Sequence, residues 1–382
     1  MAHLYRKAAW GVILMATVAA LLSLAAAQSR KKERAPRALA VLALPRDGKS
    51  QPRLVPVTIL DKGKYFDAAL YRATPRPMAL EPGTVYEAER NGKSAGFFTV
   101  EQATSVERQW VANGKWEPRK AASDQPPDAS PAPPSTDADE PPILRRGGNA
   151  RDTQTKIAVP VQPEDPDRPV LKRAGPASEK PEQPEIRLLT PADAEKTYEF
   201  LVAISDANGE EPRPYEFQWN AEEQKRLPQS MAALASAEVV RYARTTPGLK
   251  AAPAGTFDEF QIRAFDLSYD NEPELVFTAR VPGVTRAATG HGTAASTPAF
   301  YVTVVARTDL GGQPQRIFAS VTDSTHLDSL PRLALVDAVD SDGNGVGELL
   351  FRAIGDRRHT YQLYRVTRDR LWKLFEGGSS AF

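Results

Sequence analysis

Between Glu117 and Glu185 the chain changes character: proline, aspartate, alanine, serine and arginine dominate, and no aromatic residue occurs. Such a stretch carries too little apolar surface to offset the entropy of ordering it, so it predicts a disordered, Pro-rich linker. The linker divides the chain into a small domain over residues 38–116 and a larger one over 186–382. Many of the 33 prolines fall inside it, which is where a core cannot form. Within it Pro142-Ile143-Leu144-Arg145-Arg146 recurs as Pro169-Val170-Leu171-Lys172-Arg173, each copy preceded by acidic residues. The duplication reads either as a docking motif, for a partner or for the protein's own β surface, or as a linker grown by duplication.

Both flanking parts read as all-β. Ala38–Leu44, Leu54–Leu60, Tyr65–Arg72, Thr84–Arg90 and Ser94–Val100 are short runs rich in strand-forming residues. Asn91-Gly92 and Asn113-Gly114 are hairpin signals, because both residue types tolerate positive φ. The first part is expected to be a small β-barrel or sandwich. In the second, strand-like runs follow one another from Tyr198–Ile204 through Tyr215–Trp219, Glu238–Arg244, Gln261–Phe265, Leu275–Arg280, Phe300–Ala306 and Ile317–Val321. Leu333–Val339, Leu349–Ile354, Tyr361–Thr367 and Leu371–Phe375 complete the series. Asn220 is placed to cap a short helix over Ala221–Arg226, ended by Pro228. The spacing predicts antiparallel sheets of the sandwich or propeller-blade kind.

Residues 1–27 have the layout of a signal peptide. His3, Arg6 and Lys7 precede the apolar run Ala8–Ala27, and Ala25 and Ala27 sit at the small positions of a cleavage site before Gln28. The alternative is a retained anchor, since about 20 apolar residues can just span a bilayer and the basic cluster from Arg30 to Arg37 resists translocation. A periplasmic or secreted protein is expected, with membrane contact only through an uncleaved anchor. With 49 Lys+Arg against 48 Asp+Glu there is no net field to attract nucleic acid. The chain has no cysteine, which excludes disulfides, zinc–thiolate sites, thiol nucleophiles and lipidation at a lipobox cysteine together.

The segment richest in chemistry is Asp340-Ser341-Asp342-Gly343-Asn344-Gly345-Val346-Gly347-Glu348-Leu349. Oxygen side chains stand at loop positions one, three, five and nine; alternation lets short side chains converge, and position seven can add its carbonyl. Six to eight hard oxygens in flexible geometry suit Ca²⁺, whereas Mg²⁺ demands a tighter octahedron. It is not an EF-hand: Phe351 stands where the bidentate glutamate belongs, and the flanks are strands. A second loop, Asp266-Leu267-Ser268-Tyr269-Asp270-Asn271-Glu272-Pro273-Glu274-Leu275, repeats the pattern with oxygen at positions one, three, five and nine, and its flanking apolar residues align with those of the first. Asn271 replaces the turn glycine, as the residue type next most tolerant of positive φ.

These two loops resemble the FG-GAP or VCBS-type repeat, in which D-x-[DN]-x-[DN]-G-x-x-[DE]-L joins two strands of a propeller blade. The resemblance implies a calcium-binding loop on an all-β fold in an extracellular or periplasmic setting. Its ligands would be Asp340, Asp342, Asn344, the Val346 carbonyl and Glu348. In the second copy they would be Asp266, Ser268, Asp270, Glu272 and Glu274, with Ser268 weakening the set.

Gly92-Lys93-Ser94-Ala95-Gly96 matches G-x-S-x-G but enters a strand instead of a helix, so it is not a nucleophile elbow; Glu87 likewise rules out a Walker loop. His291, His326 and His359 show no metal spacing and are expected to lack a fixed carboxylate partner. The expected function is an exported, non-enzymatic binding or scaffold protein, with an unknown protein or glycan as partner. A divergent extracellular hydrolase and an envelope-anchored regulator are the alternatives.

Overall fold

The computed structural model describes residues 35–48, 50–106, 109–119, 189, 191–205, 214–249, 257–286 and 295–378. The expected signal peptide, both copies of the linker motif and His291 lie outside the described residues. The described chain is all-β: antiparallel sheets of seven, four and four strands and a two-stranded ribbon. Among the described residues no helix is long and apolar enough to cross a membrane.

The first sheet contains β1 (Arg37–Pro45), β2 (Arg53–Asp61), β3 (Lys64–Asp67), β4 (Val85–Arg90), β5 (Lys93–Val106) and β6 (Gln109–Pro118). Its seventh strand comes from much later in the chain: the short helix α1 (Pro191–Thr197) leads into β7 (Tyr198–Ile204). β7 pairs with β1 on one side and β4 on the other, and β1 also pairs with β2, so six strands close into a barrel with β3 added at β2. This corrects the expected boundary at residue 186. Tyr198–Ile204 belongs to the first sheet, and both sides of the 120–186 segment form one compact unit. The physical reason is an edge: without β7, β1 and β4 would each present unpaired backbone. β7 alternates as a barrel strand should, Leu201 and Ala203 pointing into the barrel core and Val202 and Ile204 packing outside it.

Asn91 and Gly92 make the expected two-residue turn between β4 and β5, with φ of 53° and 69°. Asn113-Gly114 does not. Both residues lie inside β6, opposite a register shift in β5 between Val100 and Gln102. Glycine is required there because a Cβ would run into the Thr99 carbonyl of the neighbouring strand.

The remaining strands form two four-stranded meanders. The first contains β8 (Glu259–Phe265), β9 (Glu274–Val281), β12 (Phe300–Thr308) and β13 (Pro314–Asp323), with the ribbon β10 (Val284–Arg286) and β11 (Ala295–Thr297) between β9 and β12. The second contains β14 (Arg332–Val339), β15 (Glu348–Ile354), β16 (His359–Val366) and β17 (Leu371–Glu376). They stack face to face: Phe265, Val276 and Val305 of one meet Ala338, Leu349, Phe351 and Tyr364 of the other. The outer face of the first, with Leu275, Phe277, Val302 and Val304, is covered by a helix. The outer face of the second, with Leu350, Tyr361 and Leu363, packs on Leu39, Val41 and Val55 of the barrel. The layers therefore run helix, sheet, sheet, barrel, and both sheets are buried on both faces.

That helix, α2 (Ala221–Thr245), overturns two expectations. Its start is as predicted: Asn220 Oδ1 accepts the N–H groups of Glu222 and Glu223, and Glu223 returns a bond to the Asn220 N–H, a capping box. It does not end at Pro228, and Glu238–Arg244 is helix, not strand. Leu227, Met231, Ala235, Val239 and Ala243 recur every fourth residue and are all buried against the sheet. Their combined burial outweighs the one backbone bond that Pro228 removes.

Candidate metal centre

The 340–348 loop joins β14 to β15 and winds around one carboxylate. Asp340 accepts the backbone N–H groups of Gly343 at 2.7 Å, Asn344 at 3.1 Å and Gly345 at 2.8 Å. Gly343 and Gly345 have φ of 72° and 86°, which lets successive N–H groups point inward. Glu348, at the start of β15, is fully buried. Its Oε2 accepts the Ser341 N–H at 2.9 Å and the Ser341 hydroxyl at 2.7 Å. Since Ser341 donates to Glu348, Tyr65 of the barrel donates to Ser341 Oγ at 2.7 Å. Arg37, also from the barrel, donates to the Asp340 carbonyl at 3.0 Å. The loop is thus tied to two elements at once.

Asp340, Asp342 and Glu348 each direct a carboxylate oxygen to a common region, all within 4.8 Å of one another. Among the described residues they are the group of three acidic or imidazole side chains that converges in this way. An acidic triad of this kind could hold a metal ion. Asn344 and Val346, the other expected donors, are tied to each other, Asn344 Oδ1 accepting the Val346 N–H at 2.7 Å. Burial, opposed by Arg365 and Ser341, pushes the Glu348 carboxyl up to about 7, as expected where carboxylates share a poorly hydrated site.

The 266–274 loop joins β8 to β9 and repeats much of this wiring. Asp266 accepts the N–H groups of Asp270 at 3.0 Å and Asn271 at 3.3 Å. Tyr269 and Asn271 take the positive φ values, 57° and 61°. Glu274 is buried like Glu348, and its Oε2 accepts the Leu267 N–H at 3.0 Å, the equivalent of the Ser341 bond. Burial raises its carboxyl to about 7. Ser268 donates to Asp270 at 2.9 Å. The two loops touch: the Gly347 N–H donates to the Leu267 carbonyl at 2.8 Å.

Two arginines complete the loops, and the sequence reading missed both. Arg307 on β12 reaches Asp270 and Glu272 at 3.1 Å each and Glu274 at 3.3 Å. Arg365 on β16 reaches Asp342 at 2.8 Å and Glu348 at 2.5 Å. Arg307 pairs across the sheet with Glu274, and the pairing of Leu349 with Tyr364 puts Arg365 opposite Glu348. No local signal marks them, because each is set opposite its glutamate only by the cross-strand register.

Other polar groups collect at the seam between barrel and sheets. Arg263 pairs with buried Asp337 at 2.5 Å and also meets the Asn91 side chain. Glu195 of α1 accepts Arg332 at 2.5 Å and Arg352 at 2.7 Å. Glu89 of β4 is only 5 % exposed, and burial beside Glu87 lifts its carboxyl to about 8 against the pull of Arg37. An open cleft of about 700 Å³ runs beside Glu195, Phe260, Tyr301 and Arg332. His326 departs from expectation: its Nδ1 lies 2.7 Å from Asp323, a fully buried carboxylate that also accepts Tyr242 at 2.9 Å.

No protein-family model, no curated protein and no solved structure matches this chain. The resemblance to the FG-GAP or VCBS repeat rests on the residues of the two loops themselves.

Proposed function

We propose that this is an exported, non-enzymatic binding or scaffold protein whose 340–348 loop takes a calcium ion. The observation that carries the reading is the convergence of Asp340, Asp342 and Glu348 within 4.8 Å. An all-oxygen donor set on a flexible loop favours calcium over zinc or copper. The layout of residues 1–27 supports export, and the open cleft beside β8 and β14 supports a binding role for a protein or glycan partner.

Extracellular calcium modules bind at about 10⁻⁴–10⁻³ M. Calcium at ten times the dissociation constant would stabilise the fold by roughly 1.4 kcal/mol. Asp340→Ala is expected to abolish that gain in calorimetric melts with calcium and with EDTA. Equal melting temperatures for the unsubstituted protein in both buffers would overturn the calcium reading. N-terminal sequencing tests export, with a mature start at Gln28 expected.

One observation favours a second reading, a divergent hydrolase. Asp323 holds His326 by Nδ1, as a carboxylate orients the imidazole of a general base. Hydrolysis of model esters or polysaccharides that is lost in His326→Ala would replace the first reading with this one.

A further inference from the structure

We infer that the chain supplies its own cation to each acidic loop: Arg307 is the resident cation of the 266–274 loop, and Arg365 is the competitor a metal must displace from the 340–348 loop. The statement about Arg365 rests on the calcium reading above; the one about Arg307 does not.

An ordinary surface ion pair joins one arginine to one carboxylate. Arg307 instead meets the carboxylates at loop positions five, seven and nine, with its side chain 14 % exposed. Arg365 meets those at positions three and nine. In each loop the buried position-nine glutamate divides its oxygens in the same way. One takes the N–H of loop position two, and the other faces the arginine, hydrogen-bonded to Arg365 in the 340–348 loop and in ion-pair contact at 3.3 Å with Arg307 in the 266–274 loop. Both arginines stand opposite that glutamate on the next strand of the sheet, so the arrangement recurs as a unit and not as a chance contact. A planar guanidinium with five fixed donors can bridge several carboxylates, as a hard cation does, without leaving the chain.

The two copies differ in what the arginine leaves over. The position-one aspartate accepts backbone N–H groups in both loops, but Asp340 also stands in the converging triad, so a metal there has an anchor from which to compete for Asp342 and Glu348. In the 266–274 loop, Arg307 holds three carboxylates and Ser268 occupies one of them further, so the donor set does not fit a metal as it stands. Removing either arginine should therefore expose a cation demand that it now satisfies.

The test uses the full chain with Arg307→Met and Arg365→Met, which keep the aliphatic bulk and delete the charge. Calcium is titrated calorimetrically, and terbium luminescence is sensitised by Tyr269 in one loop and by Tyr65 beside the other. Arg365→Met is expected to tighten calcium binding by about tenfold. Arg307→Met is expected to bind one ion more than the unsubstituted protein and to melt higher in calcium than that protein's own response explains. Unchanged affinity and stoichiometry in both variants would overturn the inference while leaving the calcium reading intact. Binding by Arg365→Met alone, with none by the unsubstituted protein, would do the reverse. If Arg307→Met fails to fold in EDTA, refolding in millimolar calcium but not in magnesium is expected; failure in both overturns the inference.

Discussion

Phe277 and Phe351 occupy equivalent places in the two meanders, each two residues after the leucine that follows its acidic loop, and both are fully buried. Phe277 lies under helix α2, whereas Phe351 lies against the other sheet. Val276 and Leu350 are likewise equivalent, and one faces the second sheet while the other faces the barrel. The sheets are thus stacked in the same sense, as neighbouring blades are. The stack is finished by a helix at one end and the barrel at the other. Two blade-like units cannot close a ring, and an open stack would leave two apolar faces in water. Helix α2 covers one of those faces and the barrel covers the other.

The largest expected effect comes from the face the two sheets share. Phe351→Ala should cost about 3–5 kcal/mol in urea unfolding, because the cavity opens where both sheets contribute walls. A loss below about 1 kcal/mol would mean that the sheets are stabilised separately by their caps and not by each other.

The barrel end should be sensitive to alkali. Burial holds the Glu89 carboxyl at about 8, above its ordinary range. A folded-state pKa raised above the unfolded one contributes stability below about pH 4.5 that is lost as pH rises through the folded value. Glu89→Gln should therefore be more stable than the unsubstituted protein at pH 9, by on the order of 3 kcal/mol, with the advantage gone at pH 4. A pH-independent difference would show that the carboxyl is not held protonated at the seam.

The helix end should respond least. Asn220→Ala removes the capping bonds to Glu222 and Glu223 and is expected to cost about 1 kcal/mol by thermal melt. If the loss instead approaches that of Phe351→Ala, the helix nucleates the stack and does not merely cover it.

The strands of both meanders were legible because each is a short local run of strand-forming apolar residues, as in Leu333–Val339 and Leu349–Ile354. Asn91-Gly92 was legible for the same reason, since its turn chemistry is local. Helix α2 was half legible. The capping box announced its start, but Pro228 and the valines at 239 and 240 obscured a stripe that only the facing sheet makes decisive. Tyr198–Ile204 was recognisable as a strand, but nothing in it names a partner more than a hundred residues away. The acidic loops could be found from their spacing. Arg307 and Arg365 could not, because the cross-strand register that sets them opposite Glu274 and Glu348 does not exist until the sheets form.

The late strand β7 that closes the barrel has a consequence for synthesis. Ribosomes deliver roughly 5–20 residues per second, and about 80 residues separate the end of β6 from the start of β7. For several seconds each nascent chain therefore carries an incomplete cylinder whose β1 and β4 margins are open to any extended strand, including the β7 of a neighbouring copy. The same dependence makes the covalent connection dispensable once folding is finished. A chain cut within 120–186 would remain a single particle, because its amino-terminal fragment would hold the later strand between two of its own.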